Sequence, residues 1–278
     1  MKPITVFVFF SGFVFWSCEK TVLLDLDQMS SKVVIEGLVT NQPGYQFVKV
    51  SRTVDFYESG ATPRVTDATV FISDDLGNEF MLTHNPNNHA DSSGYYLPTT
   101  PFVGVIGRTY HLTVNISGEK YEAKDEMFGV TAIDSLQYQV NEDEKADPKE
   151  DGKFYEVLMY AKEPQETSDY YLFKFFRNDS LKIYNPTDIY FADDKTLGEE
   201  INGVQTPVFY APNDSARVEM YSLSRVGFVF YSDLFNLINN DGGMFSPPPA
   251  NSRTNLSNGA LGFFQVSAVA ISGIRISN

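Results

Sequence analysis

The chain has 278 residues, of which 42% are hydrophobic and 14% aromatic, enough to bury a sizeable core. Its 21 Lys and Arg stand against 36 Asp and Glu, a net charge of −15, which disfavours nucleic acid and anionic lipid headgroups as partners. The one cysteine excludes an internal disulfide, although an exported chain could carry one.

That cysteine, Cys18, follows the first apolar run. Lys2 is succeeded by Ile4, Val6, Phe7, Val8, Phe9, Phe10, Phe13, Val14, Phe15 and Trp16, and small Ser17 precedes the thiol. A charged start, a short apolar stretch and a small residue before a cleavage point read as a signal peptide over 1–17. The stretch is shorter than the roughly 20 residues a membrane span needs. The placement predicts that Cys18 is acylated and becomes the first residue of a lipid-anchored mature chain. The usual bacterial lipoprotein box has an aliphatic residue three places before the cysteine, where this chain has Phe15, and Trp16 is bulky. The alternative is an ordinary signal peptide cut near Ser17, leaving a free thiol. One acyl chain would anchor weakly and two or three stably, at about 0.8 kcal/mol per buried methylene.

Residues 18–32 lack regular pattern and read as a tether. Strand signals begin with VVIEGLV (33–39) and the alternating QFVKVSR (46–52). ATVFIS (68–73) and NEFMLTH (78–84) flank Asp74-Asp75-Leu76-Gly77 and predict a hairpin. In RTYHLTVNI (108–116), Tyr110, Leu112, Val114 and Ile116 share one face, and KYEAKD (120–125) follows a turn at Gly118. Short strands at this spacing predict a β-sandwich over 33–127.

A second β-rich domain is expected over 128–278. Its strands are SLQYQV (135–140), KFYEVLMYA (153–161), DYYLFKFFR (169–177), SLKIY (180–184), ARVEMYSLS (216–224) and VGFVFY (226–231). Six acids in 141–152 suggest either a calcium loop or a solvated hairpin tip; the tip is favoured because the regular Asp-x-Asp-x-Asp-Gly order is missing. One short helix is expected near 232–240, capped by Ser232, striped by Leu234, Phe235, Leu237 and Ile238, and ended by Gly242 and Gly243. The Pro- and Asn-rich run 244–258 breaks regular structure, and GALGFFQVSAVA (259–270) reads as one buried strand. The fold class is all-β for the most part, with two β-sandwich-like domains.

Catalytic patterns are scarce. The histidines are His84 and His89, near an Asn- and Pro-rich loop, and His111 on a polar strand face; metal binding by His84 and His89 lacks an evident third ligand. The acid pairs Asp74-Asp75, Asp193-Asp194 and Glu199-Glu200 are neighbours on an extended chain, whose side chains point to opposite sides. The aromatics of 170–176 and 228–231 read first as core and second as a stacking platform for a sugar or peptide. Three Asp-Ser-Leu/Ala tripeptides place Ser135, Ser180 and Ser215 in a pattern resembling an O-glycosylation acceptor of some Gram-negative exported proteins.

Cys18-Glu19-Lys20, VLLDLD (22–27), KVVIEGLVT (32–40), Asp193-Asp194…Gly198 and FSPPPANSRTNLSNGALGFF (245–264) together resemble the lipoproteins grouped as domain-of-unknown-function family 4249. The resemblance implies an outer-membrane lipoprotein of Bacteroidota, often encoded near TonB-dependent receptors, with an immunoglobulin-like amino-terminal domain. It transfers only Cys18 as a functional position. The expectation is a non-enzymatic, cofactor- and metal-free lipoprotein on the outer membrane, facing the cell surface and serving a TonB-dependent transporter in ligand capture or as a structural partner. The alternatives are a surface adhesin or glycan-binding module, and a carboxylate hydrolase, which needs two acids about 5–10 Å apart across a cleft.

Overall fold

The computed structural model describes residues 31–54, 60–141, 152–162, 164, 166–198, 200–240 and 250–277. Cys18, most of the acidic run 141–152, Gly242, Gly243 and prolines 247–249 lie outside the described residues. The protein is mostly β, as expected, with antiparallel sheets packed around apolar cores.

The strands β1 (Val33–Thr40), β2 (Phe47–Arg52), β3 (Thr69–Asp74), β4 (Glu79–His84), β5 (Tyr95–Pro98), β6 (Thr109–Ile116) and β7 (Glu119–Glu126) form most of one curled sheet. Alternation sets its inner face: Val70 and Ile72 on β3 meet Leu112 and Val114 on β6, all buried. Asp74 builds the turn between β3 and β4. Its carboxylate accepts the Leu76 and Asn78 N–H groups and pairs with Arg108 at 2.9 Å, and these together hold its pKa below the usual value despite burial.

The chain continues through β8 (Ile133–Val140), β9 (Tyr155–Lys162), β10 (Tyr170–Arg177), β11 (Ser180–Leu181), β12 (Tyr190–Asp193), helix α1 (Asp194–Leu197), β13 (Glu200–Tyr210), β14 (Ser215–Ser222), helix α2 (Arg225–Ile238), β15 (Leu261–Ser267) and β16 (Val269–Arg275). Strand β15 leaves this second half and pairs parallel with β1, completing an eight-stranded sheet in the order β15-β1-β2-β5-β4-β3-β6-β7. The region read as a first domain at 33–127 therefore takes its eighth strand from 261–267. That parallel pairing is close: a Cβ on Gly262, whose φ is +96°, would lie 2.1 Å from the Ile35 carbonyl oxygen.

The sheet nearly closes into a barrel, but β7 and β15 share no ladder. The segment before β15 bridges them. Asn255 Nδ2 donates to the Lys124 carbonyl on β7 at 3.1 Å and to the Phe264 carbonyl on β15 at 2.8 Å, while its Oδ1 accepts the Phe264 N–H at 3.0 Å. The Ser257 N–H donates to the Glu122 carbonyl, and the Glu122 N–H returns a bond to Ser257 Oγ. Further along the seam the Val266 N–H donates to Asp125 Oδ2 at 3.1 Å. Side chains thus satisfy backbone groups that a ladder would otherwise pair.

The second half stacks two sheets. One runs β11-β10-β14-β16 with β12 also on β10, and the other runs β13-β9-β8. Their inner faces share a core that includes Met159, Tyr171, Phe173, Ile201, Val218 and Met220. The opposite face of the five-stranded sheet packs on the barrel exterior and on α2 through Leu38, Leu172, Tyr221, Leu223 and Val269. Loop 41–46 pins this contact. Asn41 Oδ1 accepts the Val269 N–H, Gln42 donates to the Val269 carbonyl, and Tyr45 donates to the buried Glu219 carboxylate at 2.8 Å. Tyr221 and Arg217 supply further donors to that carboxylate.

Besides α1, β5, β12 and β13, which the sequence reading does not include, three segments take a form other than the one expected. VGFVFY (226–231) is not a strand but the first half of α2, and its cap is Ser224, whose Oγ accepts the Gly227 N–H, rather than Ser232. The β-branched and aromatic residues suit a strand, yet at helical spacing Phe228 and Phe235 both reach Phe191 while Phe230 stacks on Phe263. Segment 259–270 is divided by Ala268 between β15 and β16, which belong to different sheets. SLKIY (180–184) is strand only at Ser180–Leu181. Replacing Asn255 with Ala removes three seam bonds at a partly exposed position. Chemical denaturation is expected to show a loss of about 2 kcal/mol, and hydrogen exchange should show the β15 amides among the most accelerated.

Candidate functional site

An apolar concavity lies at one open side of the two-sheet half. It has a volume of about 440 Å³ and is walled by Phe173 and Phe175 on β10, Tyr190 and Phe191 on β12, Val204 to Pro207 on β13, and Met159, Leu197 and Phe235 from β9, α1 and α2. The cleft exists because β13 departs from its ladder. Register with β9 shifts between Asn202 and Val204 and again between Gln205 and Phe209, at Gly203 and around Pro207. Pro has no N–H to give, and an edge strand tolerates it at a bulge. The displaced segment leaves room between the sheets that side chains from β10 and β12 line.

The rings are ordered. Phe173 and Phe175 lie parallel at 6.4 Å, Tyr190 meets Phe175 edge-on at 5.2 Å, and Phe191 meets Phe235 edge-on at 5.9 Å. None of the described lining residues is charged. Burial pushes the Tyr190 hydroxyl pKa up, and the charge of Asp188 adds to the shift. On the outer face of the same sheet, Lys174 sits 4.4 Å over the Tyr221 ring, and burial lowers its pKa.

A second, polar cluster occupies the barrel seam. Asp125 is 8% exposed and accepts from Val266 and from its neighbour Glu126 N–H. Ser224, the cap of α2, lies close enough to favour its charged form. Desolvation outweighs these bonds and raises the Asp125 pKa from 3.8 to about 6, with Glu126 adding repulsion. Beside it, Tyr231 donates to Gln265 at 2.6 Å, Gln265 to Ser267 at 2.7 Å, and Ser267 to the Ser222 carbonyl at 2.5 Å. The donors and acceptors of this chain of groups are matched to one another, which suits a structural role in joining β14, β15 and α2.

A family model described as "Domain of unknown function (DUF4249)" matches residues 19–271. The chain belongs to the DUF4249 family. No curated protein matches it significantly. The segments that carried the resemblance have distinct structural roles in this DUF4249 chain. In Asp193-Asp194…Gly198, Asp193 caps α1 by accepting the Thr196 N–H and hydroxyl, bonds that depress its pKa, and Gly198 ends the turn at φ 78°. Within 245–264, Arg253 grips Asp233 of α2 with Nε and Nη2 at 2.7 and 2.8 Å, and Asn255 stitches the seam. Two of these motifs also border the cleft, through Leu197 and through the helix that Arg253 holds.

The sequence-derived positions fall as follows. Cys18 is outside the described residues. Ser180 follows a two-residue hairpin turn, Asn178-Asp179, with φ values of 49° and 60°. Ser215 lies alongside, because Asn178 bonds both Asp214 and the Ser215 N–H; both serines are exposed. Ser135 is apart from them, at a bulge on β8. The Asp-Ser pattern thus coincides with turn and bulge chemistry at all three places. His84 Nε2 accepts the Gly94 N–H, and His89 Nδ1 accepts the Asp91 N–H. Among the described residues, no group of three His, Cys, Asp or Glu could hold a metal. The aromatic run on β10 divides as alternation requires: Tyr171, Phe173 and Phe175 turn into the core, and Phe176 stacks under Arg217 on the other face. Sequence reading missed the cleft walls on β12 and β13. The signal present was Gly203 with Pro207, a bulge signature within an otherwise alternating strand.

Asp125 gives a pH test. Its folded pKa lies above the unfolded one, so its contribution favours folding below about pH 3.8 and is lost as pH rises through about 6. The shift corresponds to about 3 kcal/mol. Asp125→Asn, which keeps an oxygen for the Val266 N–H but none for the Glu126 N–H, is expected to gain on the parent by up to about 3 kcal/mol between pH 4 and pH 7. Urea melts across that range measure the gain.

Proposed function

We propose that this protein is a non-enzymatic lipoprotein of the outer membrane, anchored through Cys18, that captures a ligand beside a TonB-dependent transporter. The observation that carries ligand capture is the aromatic cleft, a preformed concavity within the size range of small-molecule sites. Its walls rest on rigid elements: β10 is held between β12 and β14, and α2 is clamped by Arg253. Rigid walls lower the ordering cost of binding.

The anchor reading is supported by the placement of Cys18 after the apolar run and by the tether that follows. Membership of DUF4249 accords with the family resemblance that suggested the transporter partnership. Among the described residues, no helix is long and apolar enough to cross a membrane, so attachment through a lipid would need no span from them. Among the described residues no carboxylate lines the cleft, whereas a carboxylate hydrolase needs two acids facing its substrate. A glycan platform would need hydrogen-bonding groups to meet sugar hydroxyls, and the cleft wall is poor in them.

Two measurements test the proposal. Cys18→Ser is expected to abolish incorporation of labelled fatty acid and to move the protein out of the outer-membrane fraction. A tagged native chain, solubilised in mild detergent, is expected to co-purify a β-barrel transporter. Recovery of none, under conditions that preserve known complexes of this type, would overturn the partnership.

A further inference from the structure

We infer that the cleft between β10, β12 and β13 takes an uncharged, predominantly apolar small molecule. This rests on the reading of the cleft as the ligand seat, and it names the ligand class that seat selects. The volume of about 440 Å³ suits a compact molecule and is too small for a helix, whose diameter with side chains is about 10–12 Å.

The chemistry of the wall is one-sided. In a chain with a net charge of −15, no charged side chain among the described residues lines the cleft. Of its polar side chains, Thr206 is 2% exposed and turns its hydroxyl to the Val208 carbonyl. Gln205 and the Tyr190 hydroxyl remain to orient a ligand. A charged ligand would give up its hydration without a counter-charge, and a sugar would bury hydroxyls without partners; both cost more than an apolar ring or chain gains. The edge-on pair Phe175–Tyr190 presents a ring face and a ring edge, which together favour a flat apolar guest. Phe235, from α2, sits at 36% exposure on the rim and meets Phe191.

The composition supplies a clean reporter. Trp16 is the one tryptophan, so the full chain with Trp16→Phe and Phe235→Trp carries a single indole at the cleft rim. Energy transfer from that indole to neutral N-phenyl-1-naphthylamine is expected to saturate. The sulfonated relative 8-anilinonaphthalene-1-sulfonate should bind at least about tenfold more weakly. Ala192→Phe, which fills the cleft from β12, should abolish transfer, as should Leu197→Phe from α1. Far-UV circular dichroism checks that each variant folds, and the second variant stands in if the first does not. Ile106→Ser, in an exposed apolar loop away from the cleft, should change nothing. Equal affinity for the two probes, displacement of the neutral probe by maltohexaose, absence of saturable transfer, or transfer that survives a folded filling variant would each overturn the inference. If transfer behaves as expected and no transporter co-purifies, the ligand class stands and the partnership falls; the reverse pattern removes the ligand class alone.

Discussion

The barrel must close across a gap that no ladder bridges. Strand β15 reaches β1 as a parallel neighbour from the far end of the chain, and its other edge meets β7 without regular pairing. Open strand edges are costly when buried and hazardous when exposed. The Asn255 amide and the Asp125 carboxylate take the place of the missing ladder, at neighbouring positions along the seam. Asp125 also lies beside Ser224, the cap of α2, and that helix forms one wall of the cleft. A buried carboxylate with a raised pKa is a costly way to make these bonds, and the seam accepts that cost for a three-way junction.

The junction organises the second half. β14 leads directly into the α2 cap, and β15 leads into β16, which pairs back on β14. The two halves are therefore interleaved rather than strung in series, with Tyr45–Glu219 and the Asn41 and Gln42 contacts to Val269 as a second point of attachment. This fixes α2 over β12 and keeps Phe235 against Phe191. The cleft is thus shaped by elements whose positions are set elsewhere, which is how a site on a β scaffold keeps its geometry.

Much of the fold was legible in the sequence because burial on one side imposes strict alternation. β6 is the clearest case, with Tyr110, Leu112, Val114 and Ile116 inward. The Asp74 turn was legible from its residue types. The misread elements are those where tertiary contact overrode local preference. VGFVFY has strand composition but gains more by placing Phe228 and Phe230 on separate partners around a helix. β13 was hidden by Gly203 and Pro207, which argue against a regular strand but suit one with two bulges. The site was half legible for the same reason: the aromatic density of β10 was visible, but not the bulged strand that opens space in front of it. Asn255 lies in a segment that carries the family resemblance, yet nothing local reveals that its amide spans two strands far apart in sequence.

The proposed role of the cleft, a seat for a neutral apolar molecule on a non-enzymatic lipoprotein, is open to measurement. Native mass spectrometry of the protein isolated from its own membrane addresses it most directly. The account predicts a discrete non-covalent adduct, released by organic solvent, carrying no charged or sugar group, and missing from the Ala192→Phe variant. The same adduct in both proteins, or an adduct that proves to be a glycan or a charged metabolite, would contradict the account.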